Sequence, residues 1–190
     1  MSIVRIVSVL LAVGVSLLLS GCIWSERAVF PEWGEQAALE GTFTCSPLDI
    51  AGKPTGSEPQ DFIFHEVSSG EGYKYYVFAP PSTSGGDKPE PISFTLHQIY
   101  RGFYVGQTTS QPGEAQYFWY GSLKKQFFYF EDSSMEPDME RLAKEHDIVL
   151  DQFTKNYYTA LHGKEENIRA YLIELGPLYK GSSMRCADNE

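Results

Sequence analysis

Residues 116–131, QYFWYGSLKKQFFYFE, decide the fold. They contain two runs, residues 116–123 and 126–131, that are rich in the aromatic residues favoured in strands and are separated by Lys124-Lys125. The pattern predicts two antiparallel strands joined by a short turn. In both runs the two alternating faces carry aromatic side chains, so we expect neither side of this part of the sheet to be fully exposed to water.

Runs of the same kind precede this hairpin. Short segments rich in Gly, Ser or Pro separate them, and two longer segments, residues 51–59 and 80–91, predict surface loops. We therefore expect a β-meander of about seven strands that could close into a barrel. The five preceding strands are predicted at residues 39–45, 61–67, 73–79, 92–99 and 103–109.

After residue 132 the apolar residues recur at the spacing of a helix rather than at the alternating spacing of a strand. Met139, Leu142 and Ala143 predict one face of a helix of about three turns, and residues 148–150 a short strand. Residues 165–175 predict a second amphipathic helix, ended by Gly176-Pro177, whose apolar stripe is Ile168, Tyr171, Leu172 and Leu175. The fold class is thus α+β: an antiparallel meander followed by two C-terminal amphipathic helices, in one globular domain of residues 39–190.

The N-terminus is typical of an exported protein. Arg5 is followed by 14 apolar or small residues, Ile6 to Leu19, the last of which begins the motif Leu19-Ser20-Gly21-Cys22. This last motif resembles the lipobox of bacterial lipoproteins. The resemblance implies that residues 1–21 are a signal peptide that is removed, and that Cys22 is lipidated with diacylglycerol and becomes the acylated N-terminus.

The resemblance also implies where in the cell the protein is located. We expect residues 22–38 to be a lipidated tether and the acyl chains to provide the contact with the membrane. Ile23 follows the lipobox cysteine where Asp would favour inner-membrane retention, so we expect an outer-membrane anchor facing the periplasm. Loss of the signal peptide removes only Arg5 among the charged residues and leaves a net charge of −11, which argues against nucleic acid as a partner.

Cysteine usage fits an oxidising compartment. With Cys22 lipidated, Cys45 and Cys186 remain, and an even pair in the cell envelope predicts a disulfide. Two free thiols are the alternative. No Cys-x-x-Cys or His-x-x-x-His spacing accompanies the pair, so we expect no metal site.

The aromatic band is the candidate binding feature, because 12 of the 37 residues from 94 to 130 are Phe, Tyr or Trp. One interpretation is that the C-terminal helices cover its second face. The other is an exposed platform for a glycan, peptide or acyl chain, formed by Tyr104, Tyr117, Trp119 and Tyr129. We favour the packing interpretation, because the apolar helix stripes need a surface to cover.

Catalytic motifs are weak in this chain. Ser122-Leu123-Lys124-Lys125 matches the Ser-x-x-Lys motif of penicillin-binding proteins, but Ser122 lies in a predicted strand and the companion Ser-Asp-Asn and Lys-Thr-Gly motifs are missing. The histidines are scattered, and His97 is predicted on the polar side of its strand. We expect no cofactor.

These patterns predict a lipid-anchored, non-catalytic envelope protein that binds or scaffolds a partner near the membrane. The partner could be an envelope protein, a glycan or an acyl chain. Two alternatives remain open: an envelope hydrolase whose site is built from dispersed residues, and an inhibitor or carrier that uses the aromatic face.

Overall fold

The computed structural model describes residues 23–49, 51–78, 90–108, 114–124, 127–131, 136–153, 158–179 and 181–189. Residues 1–22, with the lipobox and Cys22, lie outside this part. The described residues form eleven strands, two α-helices and a short 3-10 helix. In chain order these are β1 (Ile23–Ser25), β2 (Gly41–Pro47), β3 (Gln60–Ser69), β4 (Gly72–Phe78), β5 (Ile92–Tyr100), β6 (Phe103–Thr108), β7 (Gln116–Lys124), β8 (Phe127–Glu131), α1 (Glu136–Glu145), β9 (Val149–Phe153), β10 (Tyr158–His162), α2 (Glu165–Leu175), the 3-10 helix (Gly176–Leu178) and β11 (Ser182–Asp188).

Eight of the strands form a closed antiparallel barrel. Their order is β6-β5-β4-β3-β2-β11-β8-β7, and pairing of β6 with β7 closes the ring. The other three strands continue from β7, because β1 pairs antiparallel with β7 and parallel with β10, which in turn pairs with β9. The antiparallel α+β class expected from the sequence is confirmed.

Two details of the expected fold were wrong. The strand count of about seven is too low: β9 overlaps the short strand expected at residues 148–150, β10 was not predicted, and β1 and β11 become strands only through pairing with distant neighbours. Their sequences, IWS and SSMRCAD, are too short or too polar to carry a strand pattern. The helices are also not a C-terminal pair, since β9 and β10 lie between them and β11 follows the second.

Two hydrophobic cores lie on opposite faces of the barrel wall. The inner core fills the barrel and contains mostly aromatic side chains, among them Phe64, Phe94 and Phe128. The outer core lies between the outside of the barrel, α1, α2 and residues 23–30. Phe118 and Tyr120 of β7 belong to the outer core, whereas Trp119 packs against the inner core. The C-terminal helices therefore cover the face opposite Trp119, not the Trp119 face as we expected.

Two glycines make room for the inner aromatic rings. A Cβ at Gly106 would overlap the Trp119 ring, and one at Gly121 would overlap the Phe128 ring. Gly106 is the strand partner of Trp119. The absence of a side chain at these two positions is therefore what admits two large rings into a closed barrel.

The segment expected as a tether contributes to the fold from Ile23 onwards. Ile23 is 2% exposed and is paired in β1. The backbone N–H groups of Val29 and Phe30 both donate to Gln107 Oε1, at 2.9 and 3.0 Å. Arg169 Nε of α2 donates to the Val29 carbonyl. These contacts fix the segment to the outer face of the barrel.

The expected disulfide between Cys45 and Cys186 is present. The two residues lie directly opposite each other on β2 and β11 and are buried in the inner core. The bond spans 141 residues of sequence. It links the first barrel strand to the last, and in the chain-entropy model a loop of this length gives one of the larger stabilisations, about 4–5 kcal/mol.

Candidate functional site

The four aromatic residues predicted as a platform do not share one surface. Tyr104 is 5% exposed and belongs to the inner core, and half-buried Trp119 packs there against Phe94 and Phe130, with ring centroids 5.3 and 4.9 Å away. Tyr129 lies half-buried beneath Lys124, whose Nζ is 5.2 Å from the ring centroid. Half-buried Tyr117 pairs with Trp24 of β1.

The barrel interior offers little space beside these rings. A cavity of about 30 Å³ lies among Phe94, Trp119, Phe130 and their neighbours. A cavity needs about 10–15 Å³ to hold one water molecule, so this gap holds about two. This gap is therefore too small for an acyl chain or a sugar.

A larger cavity of about 170 Å³ opens on the outer face of the barrel. We call it the outer pocket. The β5–β6 turn, residues 100–103, forms one side, and Tyr179, which follows the 3-10 helix, also lines it. The remaining lining residues come from β7 and β8: Ser122, Leu123, Lys124 and Glu131.

A buried carboxylate lies at this pocket. The Glu131 side chain is only 4% exposed. Ser122 Oγ donates a hydrogen bond to its Oε1, and Ser182 Oγ donates to its Oε2 at 2.9 Å. Lys124 Nζ lies 3.4 Å from Oε1, while the Lys124 side chain remains 61% exposed. The two hydroxyls and the ammonium compensate a charge that would be costly to bury alone.

Aromatic rings flank the carboxylate. Tyr100 is 46% exposed and stacks on Phe103, with 4.7 Å between ring centroids and 4° between planes. Tyr179 packs on Tyr120 at 4.5 Å. Partial burial, and secondly the negative charge of Glu131, raise the pKa of the Tyr100 phenol. Tyr100 therefore remains a neutral hydroxyl donor and acceptor near neutral pH.

The pocket contains Ser122 but not the geometry of the Ser-x-x-Lys enzymes. Ser122 is 2% exposed, lies within a strand and commits its hydroxyl to Glu131. In the penicillin-binding family this serine begins a helix. The motif lysine, Lys125, lies outside the described residues. This arrangement is suited to holding Glu131 in place rather than to nucleophilic attack.

His97 is a second buried polar residue, and here the sequence interpretation of a solvated side chain was wrong. It is 6% exposed, stacks on Phe30 at 4.9 Å and shares a 2.9 Å hydrogen bond between its Nε2 and Thr95 Oγ1. Burial, and secondly the positive charge of Arg169, lower the pKa of His97 to about 4. Glu35 Oε2 lies 3.8 Å from Nδ1, but its side chain is 54% exposed. His97 is therefore neutral at pH 7.

A wider depression of about 540 Å³ lies beside α1. The charged residues at its wall, Glu140, Lys144 and Asp147, are exposed or half-buried. It therefore lacks a fixed, buried polar group of the kind that Glu131 gives the outer pocket. Among the described residues, no group of three or more His, Cys, Asp or Glu side chains is arranged to hold a metal ion.

Sequence reasoning found part of the outer pocket through another motif. Ser122 and Lys124 lie in the Ser-x-x-Lys match, but Glu131, Tyr100 and Tyr179 were not singled out. A carboxylate ending the aromatic strand FFYFE was the one local signal for Glu131. Tyr179 carried none, because only the chain path after α2 brings it to β7.

We found no match to a protein-family model, a curated protein or a solved structure. Within the described ranges, none of the helices has the length and apolar character needed to span a membrane. The lipobox and the geometry of the described residues are therefore the features that point to a function.

Proposed function

We propose that this protein is a lipid-anchored, non-catalytic binding module of the bacterial cell envelope, with the outer pocket as its binding site. The lipobox resemblance supports the anchor at Cys22, and the outer membrane facing the periplasm is the location that Ile23 favours. The compensated polar groups and aromatic walls of the outer pocket support binding. Ser122, already bonded to Glu131, does not favour the hydrolase alternative.

The position of Ile23 is the observation that carries this proposal. Adjacent Cα atoms are 3.8 Å apart, so Cys22 is one residue away from a side chain that is 2% exposed in β1. Backbone pairing on both sides of β1, with β7 and β10, holds that residue. A lipid on Cys22 would thus join the domain without a flexible spacer and keep the barrel at the membrane surface.

The anchor is tested by Cys22→Ser in the full chain expressed in a bacterial host. Diacylglycerol transfer needs a thiol, so we expect the variant to remain uncleaved at the lipobox and to lose incorporation of labelled palmitate. Cell fractionation should place the wild-type protein with the outer membrane. The measurements are palmitate labelling, the mass of the N-terminus and density-gradient fractionation.

The matched control is Ser20→Ala, which changes the lipobox but keeps its thiol and a small residue. It should still be labelled. Palmitate incorporation into the Cys22→Ser protein at the wild-type level would refute the anchor, whatever the barrel binds.

A further inference from the structure

We propose that the outer pocket binds a neutral, polyhydroxylated ring, a single sugar residue of an envelope glycan, between the Tyr100 and Tyr179 side chains and over Glu131. This inference rests on the proposed function and assigns a ligand class to its site. It follows from three properties of the pocket: its size, its charge balance and its aromatic walls.

The size favours one small ring. An engineered cavity of about 150 Å³ in another protein binds benzene, so 170 Å³ is about the size for one six-membered ring. This exceeds the 30 Å³ gap inside the barrel several-fold and is too small for a folded peptide segment. The pocket opens on the outer face, so a ring could enter while the rest of a longer glycan remained outside.

The charge balance excludes strongly charged ligands. A cationic ligand would have to compete for Glu131 with two hydroxyl groups and with Lys124, which already compensate its charge. An anionic ligand would meet this carboxylate next to Lys124. A neutral ligand with several hydroxyl groups adds no net charge to this balanced set, and each hydroxyl can donate to a remaining lone pair of the carboxylate and accept from an ammonium or phenol.

The aromatic walls provide the apolar contact. The Tyr100 ring is held parallel to Phe103 and is still 46% exposed, so the stack fixes its orientation without covering it. A sugar ring presents C–H groups on its faces and hydroxyl groups at its edge. Rigid tyrosine rings bury such faces at low cost in conformational entropy and keep a hydroxyl available for a hydrogen bond.

The test uses the full, lipidated protein in a detergent without a sugar headgroup. Saturation-transfer NMR and titration would measure binding of glucose and N-acetylglucosamine, with glucosamine and glucuronate as charged comparators. We expect at least one neutral sugar to bind. Tyr100→Ala should weaken this binding by about tenfold, equivalent to 1.4 kcal/mol, while Tyr100→Phe retains most of it.

The matched control is Tyr76→Ala, which removes a half-buried tyrosine from β4, away from the outer pocket. It should bind the sugar like the wild-type protein. Unfolding midpoints would establish that all variants are folded, and Glu131→Gln gives a second test at the carboxylate, with a loss of fivefold or more expected.

Three results would overturn the inference: no binding of either neutral sugar, binding unchanged by both Tyr100→Ala and Glu131→Gln, or a charged comparator that binds tenfold more tightly than its neutral parent. None of these results changes the outcome of the palmitate-labelling test of the anchor at Cys22. A failed sugar assay and a failed anchor are therefore distinguishable.

Discussion

The inner and outer cores are built on the two faces of the same strands, yet they differ in what encloses them. A closed ring of hydrogen-bonded strands surrounds the inner core, and a disulfide within that core links two of the strands. Separate pieces of chain, α1, α2 and residues 23–30, cover the outer core. The inner core is packed with aromatic rings that meet edge to face, such as Phe43 on Phe64 and Trp119 on Phe128.

The outer region also holds buried polar groups that the docked segments satisfy. Gln107 receives two backbone N–H groups of the N-terminal segment, and the Tyr120 hydroxyl donates to the Leu172 carbonyl of α2 at 2.6 Å. His97 lies beneath Phe30. We therefore expect the stability of the inner core to depend mainly on how well its side chains fill the space. The stability of the outer core should depend more on whether its buried polar groups are hydrogen-bonded and on the protonation state of His97.

The largest effect should come from emptying the inner core with Trp119→Ala. A closed strand ring cannot collapse onto the space left by the indole, so we expect a loss of about 3–5 kcal/mol in the free energy of unfolding. Chemical denaturation of the full protein measures it. The matched control is Trp33→Ala, whose half-buried ring lies 4.4 Å from Lys74 Nζ at the surface, where about 1 kcal/mol is expected.

An unfolding midpoint of Trp119→Ala within error of the wild type would contradict this packing role. Free quenching of Trp119 fluorescence by iodide would lead to the same conclusion. Both results would instead support the hypothesis that Trp119 belongs to an exposed aromatic platform.

The second-largest expected effect is a pH dependence of the free energy of unfolding, caused by His97 in the outer region. His97 has a pKa of about 4 in the folded protein, below the value of about 6.5 for an unperturbed histidine, so the unfolded chain binds the proton more readily. The stabilisation is complete above pH 6.5 and is lost as the pH falls towards 4. This group should account for about 2–3 kcal/mol of the change between pH 7 and pH 4.

Urea unfolding at several pH values measures this contribution as the difference between wild type and His97→Gln. The variant should lose the part of the pH dependence that lies between pH 6.5 and 4. Parallel pH profiles for wild type and His97→Gln would count against a neutral, buried His97.

The smallest expected effect is a difference in stability loss when the hydroxyl group is removed from each of two buried tyrosines of the outer core. Tyr120→Phe removes the hydrogen bond to the Leu172 carbonyl and should cost about 1 kcal/mol. Tyr171→Phe removes a buried hydroxyl that has no hydrogen-bond partner among the described residues, so stability should stay the same or rise. Thermal and chemical unfolding of the pair measure the difference. Equal losses for both variants would show that the Tyr171 hydroxyl is also satisfied.

The comparison explains which parts of the fold were predictable from sequence. Strands β2 to β8 were predicted because their alternation and turns are local properties of consecutive residues. The stripe of α2 was predicted for the same reason, and all four of its residues are buried. The site was less predictable from sequence, since Ser122 stood out only through the Ser-x-x-Lys motif, whose enzymatic role its buried position in a strand does not fit.

Local patterns in the sequence were enough to predict the antiparallel α+β class and the α2 stripe, and the cysteine count predicted the Cys45–Cys186 bond. Only the tertiary structure decided that β6 meets β7 and that β11 enters between β2 and β8. Long-range packing also places Phe30 on His97 and brings Tyr179, Tyr100 and Glu131 to one pocket. The periodicity of apolar residues shows which face of a helix or strand is buried, because that depends on neighbouring residues. Which element covers that face depends on pairing between residues far apart in the sequence.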